Sequence, residues 1–241
     1  MGYVVMPLHR SVDRILAAAY LAAGCWGCGG FPGSVVPSGA VPATAEAAAA
    51  WMAETHNDQA VLHQFRWKFR EGTGGSAGGP GSARITPGDS LRFDAAGPLG
   101  TGRGSAFVIG EEAQWAEPEE DVRKLVPNYP LLWAMLGVAR MPDPAGEVTR
   151  FQDGRLVAWR FVSGSDTVEY ARIFGVEARL IADVRQAGKR VGRVETIFKA
   201  DGGLKSSRLD VPSVPARLDI RYVSTRTATG FAPETWVRPT P

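Results

Sequence analysis

Val61-Leu62-His63-Gln64-Phe65-Arg66-Trp67-Lys68-Phe69-Arg70 is the stretch that decides the fold. Val61, His63, Phe65, Trp67 and Phe69 share one face of an extended chain, and Leu62, Gln64, Arg66, Lys68 and Arg70 share the other. A period of two with aromatics on one side and charges on the other is the mark of a half-buried strand. The pattern recurs downstream: Leu91, Phe93 and Ala95 alternate with Arg92 and Asp94, and Ser105 to Ile109 resumes as strand. Gly72 to Gly81 reads as a glycine-rich turn, Pro87-Gly88-Asp89 as a break within a strand pair, and GPLGTGRG (97–104) as a loop. Beyond Pro144, strands are expected at RLVAWRFV (155–162), TVEYARIF (167–174), ARLIADVR (178–185), RVGRVETIF (190–198) and ARLDIRYVS (216–224). Turn signals separate several of them, as at Asp153-Gly154 and Ala187-Gly188. So many short-linked strands imply a mainly β (α+β) chain, an antiparallel meander curled into a sheet or barrel.

Two segments break the strand period. TAEAAAAWMAETHNDQAVL, within 43–62, is built from good helix formers. PEEDVRKLVPNYPLLWAMLGV (118–138) opens with acidic residues that suit a helix N-terminus, and Pro127 and Pro130 divide it into two short helices. The second, Leu131 to Val138, is almost wholly apolar and is expected to cover the sheet as a lid.

The N-terminus carries a different message. Arg10 and Arg14 precede the apolar run Ile15 to Gly24, which ends in Leu21-Ala22-Ala23-Gly24-Cys25. Ten residues of helix rise about 15 Å, roughly half a bilayer core, too short to span and right for a cleaved signal. A basic start, a short apolar run, small residues and a cysteine form the layout of a bacterial lipoprotein signal. The expected division is a signal peptide over 1–24, a Gly/Pro/Ser-rich flexible tether over 25–42, and one domain over 43–241. Cys25 would carry the lipid, and two acyl chains would anchor the protein stably. Trp26 follows the cysteine, with no aspartate there to suggest inner-membrane retention. The expected location is therefore the periplasmic face of the outer membrane.

Composition bounds the chemistry. The chain has 27 Lys+Arg against 25 Asp+Glu, with no basic stripe of interleaved aromatics, so nucleic acid is not an expected partner. Cys25 and Cys28 are the two cysteines and leave no disulfide framework in the domain. Gly74-Gly75-Ser76-Ala77-Gly78 spells a nucleophile elbow, but it lies in a glycine tract and no histidine follows it. His56 and His63 lack a third ligand and read as surface or edge residues, so no metal is expected. Glu117, Glu119, Glu120 and Asp121 read as a solvated helix start. Neither catalysis nor a cofactor is expected.

What remains is an apolar constellation. Phe65, Trp67, Phe69, Phe93, Trp159 and Phe161 would line the inner face of the sheet, with Leu132, Trp133 and Leu136 of the lid against them. Large side chains under an irregular lid either fill a core or leave an apolar cavity of the kind that takes small molecules.

Trp51 to His56, Gly97-Pro98-Leu99-Gly100 and EDVRKLVPNYPLLWAMLGVARMPDP (120–144) resemble the LolB family of outer-membrane lipoprotein receptors, over most of 44–223. The resemblance implies a half-open antiparallel barrel with an N-terminal helix and a short helical lid over a cavity for acyl chains. It implies lipid or lipoprotein acyl chains as ligand, a LolA-like periplasmic carrier as partner, and a monomer. It also places Leu99, flanked by Pro98 and Gly100, in a loop that helps hand cargo to the membrane. The alternative is a non-catalytic structural or assembly-scaffold lipoprotein with a filled barrel.

Overall fold

The strand expected at 61–70 is present and lies in the middle of a large antiparallel sheet. A computed structural model describes residues 33–72, 74–87, 89–97, 103–120, 128–213 and 215–238. In chain order the elements are β1 (Val41–Pro42), α1 (Ala45–Ala53), β2 (Ala60–Glu71), β3 (Ser76–Thr86), β4 (Ser90–Ala96), β5 (Arg103–Ile109) and β6 (Glu112–Glu117). They continue with α2 (Tyr129–Met135), β7 (Glu147–Gln152), β8 (Leu156–Ser163), β9 (Asp166–Ile173), β10 (Arg179–Gln186), β11 (Lys189–Phe198), β12 (Leu204–Val211) and β13 (Ala216–Ala228). The strands form one 13-stranded sheet in the order β1-β7-β8-β9-β10-β11-β12-β13-β2-β3-β4-β5-β6. Its ends, β1 and β6, are not paired with each other, so the curl stays open. One apolar core joins the concave face of the sheet to both helices. The fold is the mainly β, half-open arrangement anticipated above. No described helix is long and apolar enough to cross a membrane.

The helix expected within 43–62 is shorter, ending at Ala53. Thr44 caps it, its hydroxyl accepting from the Ala47 amide at 3.2 Å. Ala48, Trp51 and Met52 face the core, and the polar run after Ala53 turns the chain into β2.

The glycine tract is a correction. Only its first residues turn; from Ser76 it is strand β3, paired with β2. The aromatic face of β2 explains why glycine can be strand here. Phe65 lies directly opposite Gly81, and a Cβ on Gly81 would sit 2.2 Å from the Phe65 ring. Trp67 lies opposite Gly79 and donates its indole N–H to the Pro80 and Ala96 carbonyls, 3.2 Å in each case. At Gly81 ring atoms occupy the space a side chain would fill; at Gly78 and Gly79 the backbone carbonyls of Trp67 and Ala96 do.

Helix α2 lies inside the curl rather than across its rim, against β10, β11 and β12, with Pro130 to Met135 all buried. Buried carbonyls at its C-terminus need partners. Thr196 donates to the Ala134 carbonyl at 2.7 Å, and Ser207 and Tyr222 both donate to the Met135 carbonyl at 2.6 Å. Gly137, at φ +81°, completes a Schellman end: its N–H bonds the Ala134 carbonyl and the Val138 N–H bonds the Trp133 carbonyl, each at 3.0 Å. A Cβ here would lie 2.9 Å from Leu204 Cδ2. Gly137→Ala is therefore expected to cost about 1–3 kcal/mol through strain and overpacking, read as a lower urea midpoint.

The region expected to be tether is also corrected in part. From Ser34 the chain belongs to the compact unit. Val36 is buried on the convex face against Ala158, Ala171 and Ile181. The Ser34 hydroxyl donates to Glu169 at 2.7 Å, and Arg160 pairs with the same carboxylate at 2.6 Å. Val41 and Pro42 then pair with β7 as an edge strand. Apolar burial and a paired carboxylate hold a Gly/Pro/Ser-rich stretch that composition alone assigns to a linker. At the other end, residues 229–238 cross the convex side of β4–β6. Arg92 donates to the Thr235 carbonyl at 2.6 Å, Trp115 to the Trp236 carbonyl at 3.0 Å, and Trp236 packs on Phe107 with centroids 5.2 Å apart.

Candidate functional site: a cleft between the sheet ends

The inward side chains of β8, β9 and β10 run in register. Phe161, Val168 and Val184 lie directly opposite one another across the three strands. They form the floor of a cleft of about 660 Å³. Leu132 and Pro130 of α2, the 142–145 segment before β7, and Ala106 and Val108 of β5 with residues of β6 complete its walls. The cleft thus lies between one end of the sheet and the strands near the other, where the curl fails to close. Its volume falls in the range of small-molecule sites.

One wall is polar. Glu111, Asn128 and Asp143 line it, and Glu111 Oε1 and Asn128 Oδ1 are buried without a hydrogen-bond partner. Burial raises the Glu111 carboxyl above the usual carboxylate range; Arg140 opposes that shift and Asp143 adds to it. An apolar floor with a polar rim suits an amphiphile, with its chain inward and its head group at the rim.

The residues anticipated for a cavity divide between two places. Phe161 and Leu132 line the cleft. Phe65 and Phe93 stack at 5.4 Å, and Trp159 packs on Trp51 at 6.0 Å, so these rings fill the interior. Trp133 is buried, its indole N–H bonded to the Gly110 carbonyl at 2.7 Å with the Arg140 guanidinium 5.1 Å above the ring. Trp67 and Phe69 are half-buried and packed against the same core. Leu136 lines a second cavity of about 200 Å³ with His63 and Thr225. Cys25, and the loop residues Pro98, Leu99 and Gly100, lie outside the described residues, as does most of the first lid helix.

His63 is not the surface or edge residue expected. It is 4% exposed, with Nδ1 2.9 Å from the Thr225 hydroxyl and its ring edge-on to Tyr222. Burial pushes its pKa from 6.5 down to about 4. The alternation of 61–70 already placed it on the aromatic face; that signal outweighs the usual surface habit of histidine. His56 does sit near the surface, its Nε2 3.3 Å from the Ala139 carbonyl. Val168, Glu111 and Asn128 were not singled out from sequence. Val168 was legible from the alternation of its strand, but Glu111 and Asn128 reach the cleft through chain segments with no period.

The sequence matches no protein-family model and no curated protein. Among solved structures it is similar to a LolA superfamily protein from Nitrosomonas europaea, at 6% identity over 81% of this chain and 98% of that one, with a TM-score of 0.40. It is also similar to a domain assigned to outer-membrane lipoprotein sorting from Vibrio parahaemolyticus, at 7% identity over 79% and 94%, with a TM-score of 0.36. A DUF1329 family protein from Desulfovibrio piger matches at 8% identity over 78% and 94%, with a TM-score of 0.30. These likenesses are shallow and concern the course of the chain.

Proposed function

We propose that this protein binds acyl chains in the cleft between β5–β6 and β8–β10, without a catalytic step. The observation that carries the reading is the in-register apolar floor of Phe161, Val168 and Val184 under an unfilled volume of about 660 Å³. An acyl chain gains about 0.8 kcal/mol per buried methylene, so ten methylenes supply roughly 8 kcal/mol before the costs of association. The finer reading is a lipid-anchored receptor that takes lipoprotein acyl chains from a LolA-like carrier and delivers them to the outer membrane. It adds the lipid on Cys25 and the Pro98-Leu99-Gly100 loop, and it draws on the sequence resemblance described above.

The test is titration of unacylated protein with a fluorescent fatty acid and with a triacylated peptide. Saturable micromolar uptake is expected. Val168→Trp places an indole over the floor and should weaken uptake at least tenfold while the fold, followed by circular dichroism, is retained. Absence of saturable uptake of either probe would end the acyl-chain reading. The second reading, an envelope scaffold, would then stand on the tight filling of the interior around Phe65, Phe93, Trp133 and Trp159.

A further inference from the structure

The convex face of β12, β13 and β2 is charged in a way the fold does not need. Leu218, Ile220 and Tyr222 of β13 point into the core, so Arg217, Asp219 and Arg221 point out. On β2 the outward set includes Arg66, Lys68 and Arg70; on β12 it includes Arg208 and Asp210. These positions hold six basic and two acidic residues, a net of four positive charges, in a chain whose formal net charge is +2. Asp219 serves Arg70 and Arg208, and Asp210 serves Arg217. Among the described residues, the side chains of Arg66, Lys68 and Arg221 have neither ion pair nor hydrogen bond. Arg66 and Arg221 are also directly opposite each other in the sheet, both exposed. Like charges in that position cost about 0.2–1 kcal/mol, and no carboxylate among the described residues pairs with either.

The shape of the face matters as much as its charge. Beyond Arg66 and Lys68 the next strand presents Pro80 and Gly78, so no long side chain stands between the cations and solvent. A bulge between Tyr222 and Ser224 pushes Val223 outward, 64% exposed. The result is a broad, low, basic surface with an apolar projection and no exposed aromatic stack for bases.

We propose that this face docks the protein on an anionic phospholipid bilayer. Flexible arginine and lysine side chains meet phosphate head groups, and Val223 touches the interface. Each basic side chain near such a surface adds attraction that salt screens. The inference is independent of the acyl-chain reading of the cleft, which lies on the concave side.

The experiment uses the full chain with Cys25→Ala, so that no lipid is attached, and sedimentation with vesicles. Partition into phosphatidylcholine vesicles containing about a third phosphatidylglycerol should exceed partition into pure phosphatidylcholine at least tenfold at ~0.1 M salt, and the excess should vanish near ~1 M. Arg66→Glu with Arg221→Glu should remove most of the excess. Arg155→Glu with Lys189→Glu makes the same change in net charge at a remote bend and a remote strand end and should leave it intact. If the first pair perturbs folding, Lys68→Glu alone should still lower the excess. Equal partition into both vesicle types, equal loss in both double variants, or tighter binding to soluble heparin than to anionic vesicles would overturn the proposal.

Discussion

Trp133→Ala is expected to lower stability by about 3–5 kcal/mol, the upper range for a buried aromatic truncated to alanine. Three losses combine. The ring is 1% exposed and touches the core on all sides, so its removal leaves a cavity that a short helix held at its far end by Thr196, Ser207 and Tyr222 cannot close. The Gly110 carbonyl loses its donor at 2.7 Å. Arg140 loses the ring beneath its guanidinium, although it keeps its ion pair with Asp89. Trp133→Phe separates these contributions. It keeps most of the packing and forfeits the indole N–H, so about 1–2 kcal/mol is expected from equilibrium urea unfolding. A loss under ~1 kcal/mol for the alanine variant would mean that α2 is not the keystone of the interior. Because Leu132 lines the cleft one residue away, the same variant should weaken acyl-chain uptake even where the protein remains folded.

Acid sensitivity centred on His63 is the second large effect. Its pKa is about 4 in the folded chain against 6.5 in the unfolded one, so below pH 6.5 the unfolded state takes up a proton that the folded state refuses. Stability from this group is complete above pH 6.5 and is lost as pH falls toward 4. The loss approaches 3 kcal/mol at a slope of about 1.4 kcal/mol per pH unit. The cause is burial: Nδ1 has Thr225, while Nε2 has no partner to share a positive charge. His63→Gln should remove about one proton's worth of slope between pH 6.5 and 4. Unfolding curves of identical pH dependence in the two proteins would show that the imidazole is solvated.

How much of this was legible depended on whether the deciding contacts were local. The strand at 61–70 was legible because its period of two lies within ten residues. The register of Phe161, Val168 and Val184 follows from the same kind of pattern repeated in three hairpin-linked strands. The first half of strand β3, Ser76 to Gly81, was not legible, because glycine carries no hydropathy pattern. Its place in the sheet comes from its pairing with β2, where the Phe65 ring fills the space a side chain at Gly81 would take. Ser34 to Pro42 failed for a related reason. The groups that hold it, Glu169, Ala158, Ala171 and Ile181, lie more than a hundred residues away and leave no mark on its composition. For the site, sequence named the right kind of side chain but could not say which rings fill space and which border a void. Phe161 and Leu132 border it, while Phe65, Phe93 and Trp159 pack ring against ring.

The unpaired ends of the sheet decide how anything can leave the cleft. A chain held in a closed barrel has to thread out lengthwise through a pore, or wait for ladder hydrogen bonds between strands to break. Here the cleft lies along a seam where, among the described residues, the two sheet ends are not paired by ladder hydrogen bonds. A long flexible guest can peel away sideways, a few methylenes at a time, and each partial release is small and reversible. For the acyl-chain guest proposed above, such a trough would trade retention for rapid exchange, at a rate that should depend on guest length more than on the stability of the fold.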